Sequence, residues 1–297
     1  MDETEGDGGG RAVTVVGLVG LGNMGAALGA NLVGAGLEVV AHDVAGPDRC
    51  PDGASFVTDP AEIARRAEVV VLSLPDGAAS QQVVGVLTAA SGGVTHVVDT
   101  STIGVAAARR IDAVLAAGGV AYVDAPVSGG VAGARARTLS VMYAGSEAAC
   151  AAVAPVLAGL SDRTRRVGDR PGMAQALKLA NNFLSATALA ATSEAVAFGL
   201  SVGLDLATML EVLNDSSGRS AATEDKFPNH VLTGTYASGF ANSLMAKDVR
   251  LYLDAVADQA GSSFIGPVTG AVWERFAEDE PGADFTRIFP FLEAGPT

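Results

Sequence analysis

The sequence predicts an α/β protein in which a doubly wound parallel sheet is followed by an all-helical C-terminal domain. Short apolar runs alternate with helix-like segments through the first half of the chain. A glycine-rich turn joins the first apolar run to the first helical one, and the second half contains long helical segments with few strand signals. Such alternation is typical of a sheet that carries helices on both faces.

Six short apolar runs in the first half are predicted to be buried parallel strands. They lie at residues 13–19, 38–41, 69–74, 96–99, 121–124 and 140–144. Helical composition between them predicts connecting helices at residues 61–66, 79–89 and 105–117. Residues 1–11 are acidic and rich in glycine, which predicts a disordered tail and a sheet domain over residues 12–170.

A change of pattern near residues 165–172 predicts the second domain. Residues 163–166 are basic, and residues 168–172 contain two glycines and a proline that break the chain. Neither Gly nor Pro occurs from residue 173 to 198, which predicts a helix of roughly 26 residues, near 39 Å long at about 1.5 Å per residue. Helical segments at residues 205–214, 244–260 and 268–277 complete a predicted helical domain over residues 171–297.

Composition argues against several classes of partner and site. The net charge of −14 disfavours nucleic acid and anionic membranes. Cys50 and Cys150 stand 100 residues apart with no zinc or redox spacing, so we expect free thiols and no metal site. Residues 1–10 do not resemble a signal peptide, and the apolar stretch at 183–198 is too short to span a bilayer and carries Glu194. We expect a cytoplasmic protein. The long apolar helix also favours assembly into a homodimer or homotetramer.

The glycine-rich turn is the most informative motif. It consists of Gly20, Leu21, Gly22, Asn23, Met24 and Gly25. Gly20 allows a tight turn, Gly22 lets the backbone approach a phosphate, and Gly25 lets the following helix pack against the strand. Free N–H groups at the helix N-terminus would bind the pyrophosphate of a dinucleotide, as in a Rossmann-type sheet. The alternative is an ordinary glycine turn between a strand and a helix.

An acidic residue suited to such a site ends the next apolar run. Asp43 lies 18 residues after Gly25, where a carboxylate binds the adenosine ribose hydroxyls. The same carboxylate would repel the 2′-phosphate of NADP. Arg49 could offset that repulsion only if its loop folded back over the site. NAD is therefore the predicted cofactor, with NADP less favoured.

Lys178 is the best candidate for proton transfer. It is the only charged residue between Gly172 and Glu194, and Asn182 follows it four residues later on the same helical face. A buried lysine titrates near neutral pH and can act as a general acid or base. The alternative is a lysine whose ammonium group reaches solvent beside a surface amide.

Other polar residues offer weaker signals. The three histidines are less suited to catalysis, since His42 and His96 lie at strand ends and His230 is predicted in a loop. The segment 124–130 ends a strand and opens a glycine loop, which could turn N–H groups and a Ser128 hydroxyl toward a carboxylate or be a flexible connection. By itself, the adjacent pair at 247–248 is typical of a solvated surface.

Together these motifs resemble the β-hydroxyacid dehydrogenase family, the 3-hydroxyisobutyrate dehydrogenase group in particular. The resemblance extends from residue 13 to 292 and preserves the order of five segments. These are the cofactor turn at 20–25, the substrate loop at 124–130, the helix motif Lys-Leu-Ala-Asn-Asn at 178–182, Ser-Ser-Gly-Arg at 216–219 and Leu-Met-Ala-Lys-Asp at 244–248.

The resemblance implies a role for each matched residue. It implies that Lys178 donates and accepts the proton and that Asn182 orients the substrate. The residues implied to hold the substrate carboxylate are Ser128, Gly129 and Gly130. The residues implied to contact the cofactor, beside the glycine turn and Asp43, are Leu74, Pro75, Thr102 and Lys247, the last supported by Asp248. This overrides the surface interpretation of the 247–248 pair.

One departure concerns the substrate pocket. Ala221 stands where related enzymes often carry Trp, so we expect a roomier or more polar pocket with Ser220, Thr223 and Lys226 nearby. The expected function is hydride transfer between NAD and a small 3-hydroxy acid. The alternatives are a reductase of an imine or a larger sugar acid on the same scaffold, and a non-catalytic dinucleotide-binding sensor.

Overall fold

The structure, a computed structural model, describes residues 15–90 and 92–295, and the predicted tail at 1–11 lies outside these ranges. The first part of the described chain is a mixed sheet with helices on both faces. Its strands are β1 (Val15–Val19), β2 (Glu38–His42), β3 (Ser55–Phe56), β4 (Val69–Leu72), β5 (His96–Asp99), β6 (Ala121–Asp124), β7 (Val127–Ser128), β8 (Ser140–Ala144) and β9 (Arg163–Gly168).

The strand order is β3-β2-β1-β4-β5-β6-β8-β7, with β9 paired to β8. All neighbours from β3 to β6 are parallel, so their carboxyl ends meet at one edge of the sheet. This confirms the predicted Rossmann-like α/β class. However, β8 runs antiparallel to β6 and β7, which corrects the parallel strand predicted at 140–144. An apolar run indicates that a strand is buried, but it does not indicate the direction in which the strand runs.

Three strands of this sheet have no matching sequence prediction. β3 and β7 contain two residues each, too few for an alternating pattern to be recognised. β9 begins with the basic residues 163–166, which were interpreted as part of the change of pattern between the two domains. It lies at an edge of the sheet and its first four residues are exposed, so arginines are accommodated there and protect the edge from pairing with another chain.

Seven helices within residues 15–90 and 92–168 cover the sheet. They are α1 (Asn23–Gly34), α2 (Pro60–Arg66), α3 (Gly77–Ala89), α4 (Val105–Ala117), α5 (Gly130–Arg135), α6 (Glu147–Ala152) and α7 (Ala154–Leu160). Two separate apolar clusters form. Leu28 of α1 and Leu157 of α7 join the first, whereas Ile63 of α2 and Leu115 of α4 join the second. Strand β1 serves both, because its successive side chains point to opposite faces.

The second part of the described chain is helical. Its helices are α8 (Met173–Ser201), α9 (Leu206–Asn214), α10 (Asn242–Asp258), α11 (Gly266–Asp279) and α12 (Ile288–Glu293), with a π-helix at Ala222–Val231. An aromatic cluster forms the core, with Trp273, Phe227 and Phe276 fully buried. The Trp273 Nε1–H donates to the Ala186 carbonyl at 3.2 Å, which ties α11 to α8.

The π-helix corrects the loop predicted around His230. It contains Pro228, and the Leu232 N–H donates to the Phe227 carbonyl at 2.8 Å. Sequence patterns of period 2 and 3.6 carry no signal for the wider turn of a π-helix. His230 therefore belongs to an ordered helical segment.

Helix α8 is longer than predicted and apolar enough, by length and composition, to cross a membrane. This corrects the interpretation that the apolar stretch at 183–198 is too short to span a bilayer. In the structure its inner face packs against α10, α11 and α12. Helix α8 thus connects the sheet to the helical core and carries Lys178 on its buried face.

Candidate active site

The glycine turn between β1 and α1 combines internal constraints with open space. Gly20 has φ +99°, and a Cβ there would collide with the Ser73 carbonyl. A Cβ on Gly25 would collide with the Gly20 carbonyl, which explains the close approach of helix and strand. At Gly22, in contrast, a Cβ would meet nothing within 4 Å. The fold itself does not require glycine at 22, so the space above it is suited to a phosphate group.

Helix α1 begins beside this open space with no side-chain cap at Gly22. Its first N–H groups therefore remain available to an anion, and the helix dipole adds positive potential. Leu21 lies in the turn, and Asn23 and Met24 are the first two residues of α1. The residues present thus fit a dinucleotide pyrophosphate.

Asp43 lies at the end of β2, next to the turn. Its Oδ2 accepts the Leu21 N–H at 2.5 Å and its Oδ1 accepts the Ala45 N–H at 2.7 Å. These bonds hold the carboxylate beside the glycine turn, where the ribose hydroxyls are expected. Arg49 folds back, and its Nη1 donates to Asn23 Oδ1 at 3.0 Å. A cation therefore lies beside the glycine turn, where it could offset the repulsion between Asp43 and the 2′-phosphate of NADP.

The two predicted cofactor loops are linked to each other and to the helical domain. The Leu74 N–H donates to Ser101 Oγ at 2.8 Å. From α10, Lys247 Nζ donates to the carbonyls of Pro75 at 3.2 Å and Thr102 at 2.7 Å. Lys247 thus joins both loops to α10, a contact across 172 residues of sequence in the case of Pro75.

Lys178 lies on the buried face of α8 with 7 % of its surface exposed. Burial lowers the pKa of its ammonium group to about 8, while the nearby Asp248 carboxylate raises it and Lys247 lowers it. A lysine with this pKa is partly neutral near physiological pH. It can therefore both accept and donate a proton.

Asp248 connects the catalytic candidates of α8 and α10. Its Oδ2 accepts a hydrogen bond from Asn182 Nδ2 at 2.6 Å, and its Oδ1 lies 3.3 Å from Lys247 Nζ. The Asp248 side chain is 3 % exposed. The 247–248 pair is therefore an interior ion pair next to Lys178, and the solvated interpretation of the isolated pair is wrong. The structure brings Asn182, Lys247 and the cofactor loops into one network.

The substrate loop leaves β6 and forms β7 before α5 begins at Gly130. Gly129 has φ +128° and Gly130 has φ +66°, conformations that favour glycine. Ser128 is partly buried at the end of β7. Within the described residues, no hydrogen bond joins residues 128–130 to Lys178, Asn182 or Lys247. The loop geometry therefore fits a carboxylate site without linking it directly to the lysine network.

The residues suggested for a polar pocket beyond Arg219 bond to their own neighbours in the chain. Ser220 Oγ accepts the Ala222 N–H at 3.2 Å, and Thr223 Oγ1 donates to the Ser220 carbonyl at 3.0 Å. Lys226 pairs with Asp225 at 2.5 Å. These bonds stabilise the start of the π-helix.

Two buried residues of the site were missed by sequence reasoning. Gln175 and Asp124 join the first turn of α8 to the sheet, and both are fully buried. The sequence does contain a signal for Gln175, because this polar residue precedes Lys178 by three residues on the same helical face. Among residues 15–90 and 92–295, no group of His, Cys, Asp or Glu could hold a metal ion.

Comparison with known proteins gives the family. Residues 15–168 match the NAD binding domain of 6-phosphogluconate dehydrogenase, and residues 172–292 match the family described as NAD-binding of NADP-dependent 3-hydroxyisobutyrate dehydrogenase. A probable 3-hydroxyisobutyrate dehydrogenase of Mycobacterium tuberculosis is 33 % identical, over 95 % of this chain and 99 % of the relative. The 2-(hydroxymethyl)glutarate dehydrogenase of Eubacterium barkeri is 36 % identical, over 81 % of each chain.

A solved structure extends the similarity to three dimensions. The Mycobacterium tuberculosis 3-hydroxyisobutyrate dehydrogenase with L-serine has a TM-score of 0.88 at 32 % identity, covering 94 % of this chain and 99 % of that one. The matches span the sheet, the connecting helix α8 and the helical domain alike. The chain therefore belongs to the β-hydroxyacid dehydrogenase family and is an NAD(P)-dependent oxidoreductase of the 3-hydroxyisobutyrate dehydrogenase type.

Proposed function

We propose that this enzyme oxidises a small 3-hydroxy acid reversibly, prefers NAD, and uses Lys178 as its general acid and base. The observation that carries the proposal is the environment of Lys178. It is buried, its pKa is lowered to about 8, and it lies next to the Asp248–Lys247 pair that holds the cofactor loops. Such a lysine is suited to move a proton at a carbinol oxygen.

The chain's own residues supply orientation and proton transfer. A bound nicotinamide cofactor, held by the glycine turn and Asp43, would supply the acceptor and donor of the hydride at the carbinol carbon. Neutral Lys178 accepts the hydroxyl proton during oxidation, and its ammonium form protonates the oxygen during reduction. Asn182, fixed by Asp248, orients the hydroxyl, while Ser128, Gly129 and Gly130 hold the carboxylate.

Substrate identity is tested by turnover on a panel of candidates with NAD and NADP. The panel contains 3-hydroxyisobutyrate, L-serine, 2-(hydroxymethyl)glutarate, larger sugar acids and cyclic imines, the first three being suggested by the names of relatives. We expect the highest kcat/KM for a small 3-hydroxy acid. Highest activity on imines or sugar acids would overturn the substrate proposal, and absence of turnover with every compound would favour a sensor.

The role of Lys178 is tested by Lys178→Ala, with Lys226→Ala as the matched lysine control. Lys226 pairs with Asp225 in the π-helix, outside the proposed site. Positioned proton transfer contributes roughly 10²–10⁴-fold, so turnover should fall by about 10²-fold or more in the first variant. Cofactor affinity should change little, and the control should remain near wild type. Near-normal turnover of Lys178→Ala would refute the role.

A further inference from the structure

Gln175 is fully buried one helical turn before Lys178. Its Oε1 accepts the N–H groups of Ile103 at 3.0 Å and Gly104 at 3.1 Å. Its Nε2 donates to the Ser101 carbonyl at 2.9 Å. One side chain thus satisfies three backbone groups of the 101–104 loop. Because unsatisfied buried groups are costly, this arrangement fixes the loop relative to α8.

Asp124 fixes the same turn of α8 to the sheet. It ends β6, is fully buried, and its Oδ2 accepts the Gln175 N–H at 2.9 Å. An acceptor at this point satisfies a free N–H of the helix start and interacts favourably with the helix dipole. The backbone of Gln175 is therefore held by β6 while its side chain holds the 101–104 loop.

The 101–104 loop is held from a second side by α10. Lys247 Nζ donates to the Thr102 carbonyl at 2.7 Å, and Lys247 lies 3.3 Å from Asp248 Oδ1. Gln175 and Lys178 share one buried face of α8, three residues apart. A displacement of the 101–104 loop against α8 would therefore change the distance between Lys178 and the loop proposed to contact the nicotinamide.

We propose that Gln175 is a positioning residue that, with Asp124, sets the separation between Lys178 and the 101–104 loop. This inference rests on the proposed function, in which Lys178 moves the proton. Gln175 touches neither substrate nor cofactor in this scheme. It acts through the alignment of two groups that do.

Gln175→Met removes the three side-chain hydrogen bonds at nearly constant volume. Misplacement by about 1 Å can cost about 10²-fold, so we expect kcat to fall by about that factor with the KM values for acid and cofactor within threefold. Asn31→Leu is the matched control, since Asn31 is buried and donates to the Ala134 and Leu160 carbonyls away from the site. Its kcat should stay within threefold of wild type.

Two further measurements separate positioning from mere stability. When Gln175→Met is added to Lys178→Ala, kcat should fall by less than a further threefold, because two changes that act on the same step are not additive. In the unliganded protein, hydrogen exchange of peptides covering residues 100–105 should be at least tenfold faster in Gln175→Met and unchanged in Asn31→Leu.

The outcomes are distinct. An unchanged kcat, a loss confined to KM, or a full 10²-fold loss on top of Lys178→Ala would overturn the positioning role. If Gln175→Met does not fold, Gln175→Glu keeps an acceptor for the two N–H groups but loses the donor to the Ser101 carbonyl, and at least tenfold faster exchange of residues 100–105 with an unchanged kcat would overturn the role as well. Near-normal turnover of Lys178→Ala would instead refute the proposed function, which makes the two failures distinguishable.

Discussion

At the scale of single residues, the proposed chemistry depends on how burial changes the pKa of Lys178. Desolvation penalises the ammonium form, whereas Asp248 stabilises it and Lys247 opposes it. The result is a pKa of about 8, lowered from 10.5. The same residue exposed on a helix surface would remain charged throughout the physiological range.

This pKa predicts opposite pH profiles for the two directions of the reaction. Oxidation needs the neutral amine, so kcat should rise about tenfold per pH unit below pH 8 and level off above it. Reduction needs the ammonium, so its kcat should be level below pH 8 and fall above it. Rates between pH 6 and 10 test this, and Lys178→Ala should remove the inflection. A rate of oxidation that still rises at pH 10 would show that the pKa of Lys178 is not lowered, and an inflection near 8 that persists in Lys178→Ala would assign it to another group.

Cofactor choice is a second prediction at this scale. Asp43 favours NAD, which we expect to exceed NADP by at least about tenfold in kcat/KM, roughly 1.4 kcal/mol. Arg49, folded onto Asn23, supplies the cation that NADP would use. Arg49→Ala should lower kcat/KM for NADP by about tenfold and leave that for NAD within threefold. Arg65→Ala, on the surface of α2, is the control. Equal losses with both cofactors would contradict this role.

The substrate carboxylate gives a third prediction. A hydrogen bond to a charged group contributes about 1.5–3 kcal/mol, so Ser128→Ala should raise the KM of the acid by roughly 10–10²-fold and leave the KM of NAD nearly unchanged. Gly129→Val should also affect the acid more than NAD, but Gly129 has φ +128° and the variant would strain the backbone. Ser128→Ala avoids that strain. Equal changes in both KM values would exclude a carboxylate role.

At the scale of elements, the contacts at the start of α8 determine where the face that carries Lys178 lies. Burial raises the pKa of Asp124 to about 7, while backbone N–H groups of Gln175 and Gly172 oppose the rise. The raised pKa means that the folded state holds this proton more tightly than the unfolded chain. Stability from Asp124 is therefore complete below about pH 4 and is lost as the pH rises through 7.

The variant Asp124→Asn tests the direction of this pH dependence of stability. Its amide oxygen can still accept the Gln175 N–H but cannot ionise. The melting temperature of the variant minus that of wild type should therefore increase between pH 4 and 7, with each kcal/mol worth roughly 2–4 °C. Scanning calorimetry across this range gives the difference directly. A constant difference would mean that Asp124 does not titrate in the folded protein.

At the scale of the whole molecule, one face of α8 remains exposed and apolar. Leu177, Leu184 and Phe198 lie along it, Val202 follows its last turn, and all four are 45–70 % exposed. Patches of this kind are typical of contact surfaces. We expect a second copy of the chain to cover it, since the net charge of −14 disfavours an anionic membrane.

Sedimentation velocity tests this assembly. The wild-type protein should sediment as a dimer or tetramer, and Leu184→Glu with Phe198→Glu should shift it toward the monomer. Val114→Glu introduces the same charge at an exposed valine of α4 and should leave the assembly intact. A monomeric wild type would contradict the expectation, and binding to lipid vesicles would assign the apolar face of α8 to a membrane.

The sequence by itself determined the features that depend on local spacing. Turn geometry accounts for the glycine turn and for the position of Asp43 after β2. The 3.6-residue period accounts for the placement of Lys178 and Asn182 on one helical face. The fold class follows from the alternation of apolar runs and helices, and the structure and comparisons bear it out. The assigned roles of these residues remain predictions.

The tertiary structure alone decided the contacts between distant segments. Asn182 meets Asp248 across 66 residues, Gln175 meets Asp124 across 51, and Arg49 folds back over 26 to Asn23. It also decided that β8 runs antiparallel and that residues 222–231 form a π-helix. Local patterns specify which residues are buried and which turns form, whereas the packing of whole elements selects which buried polar groups meet. The lowered pKa of Lys178 belongs to this second class, because the burial that lowers it, opposed by Asp248 and assisted by Lys247, arises only from packing.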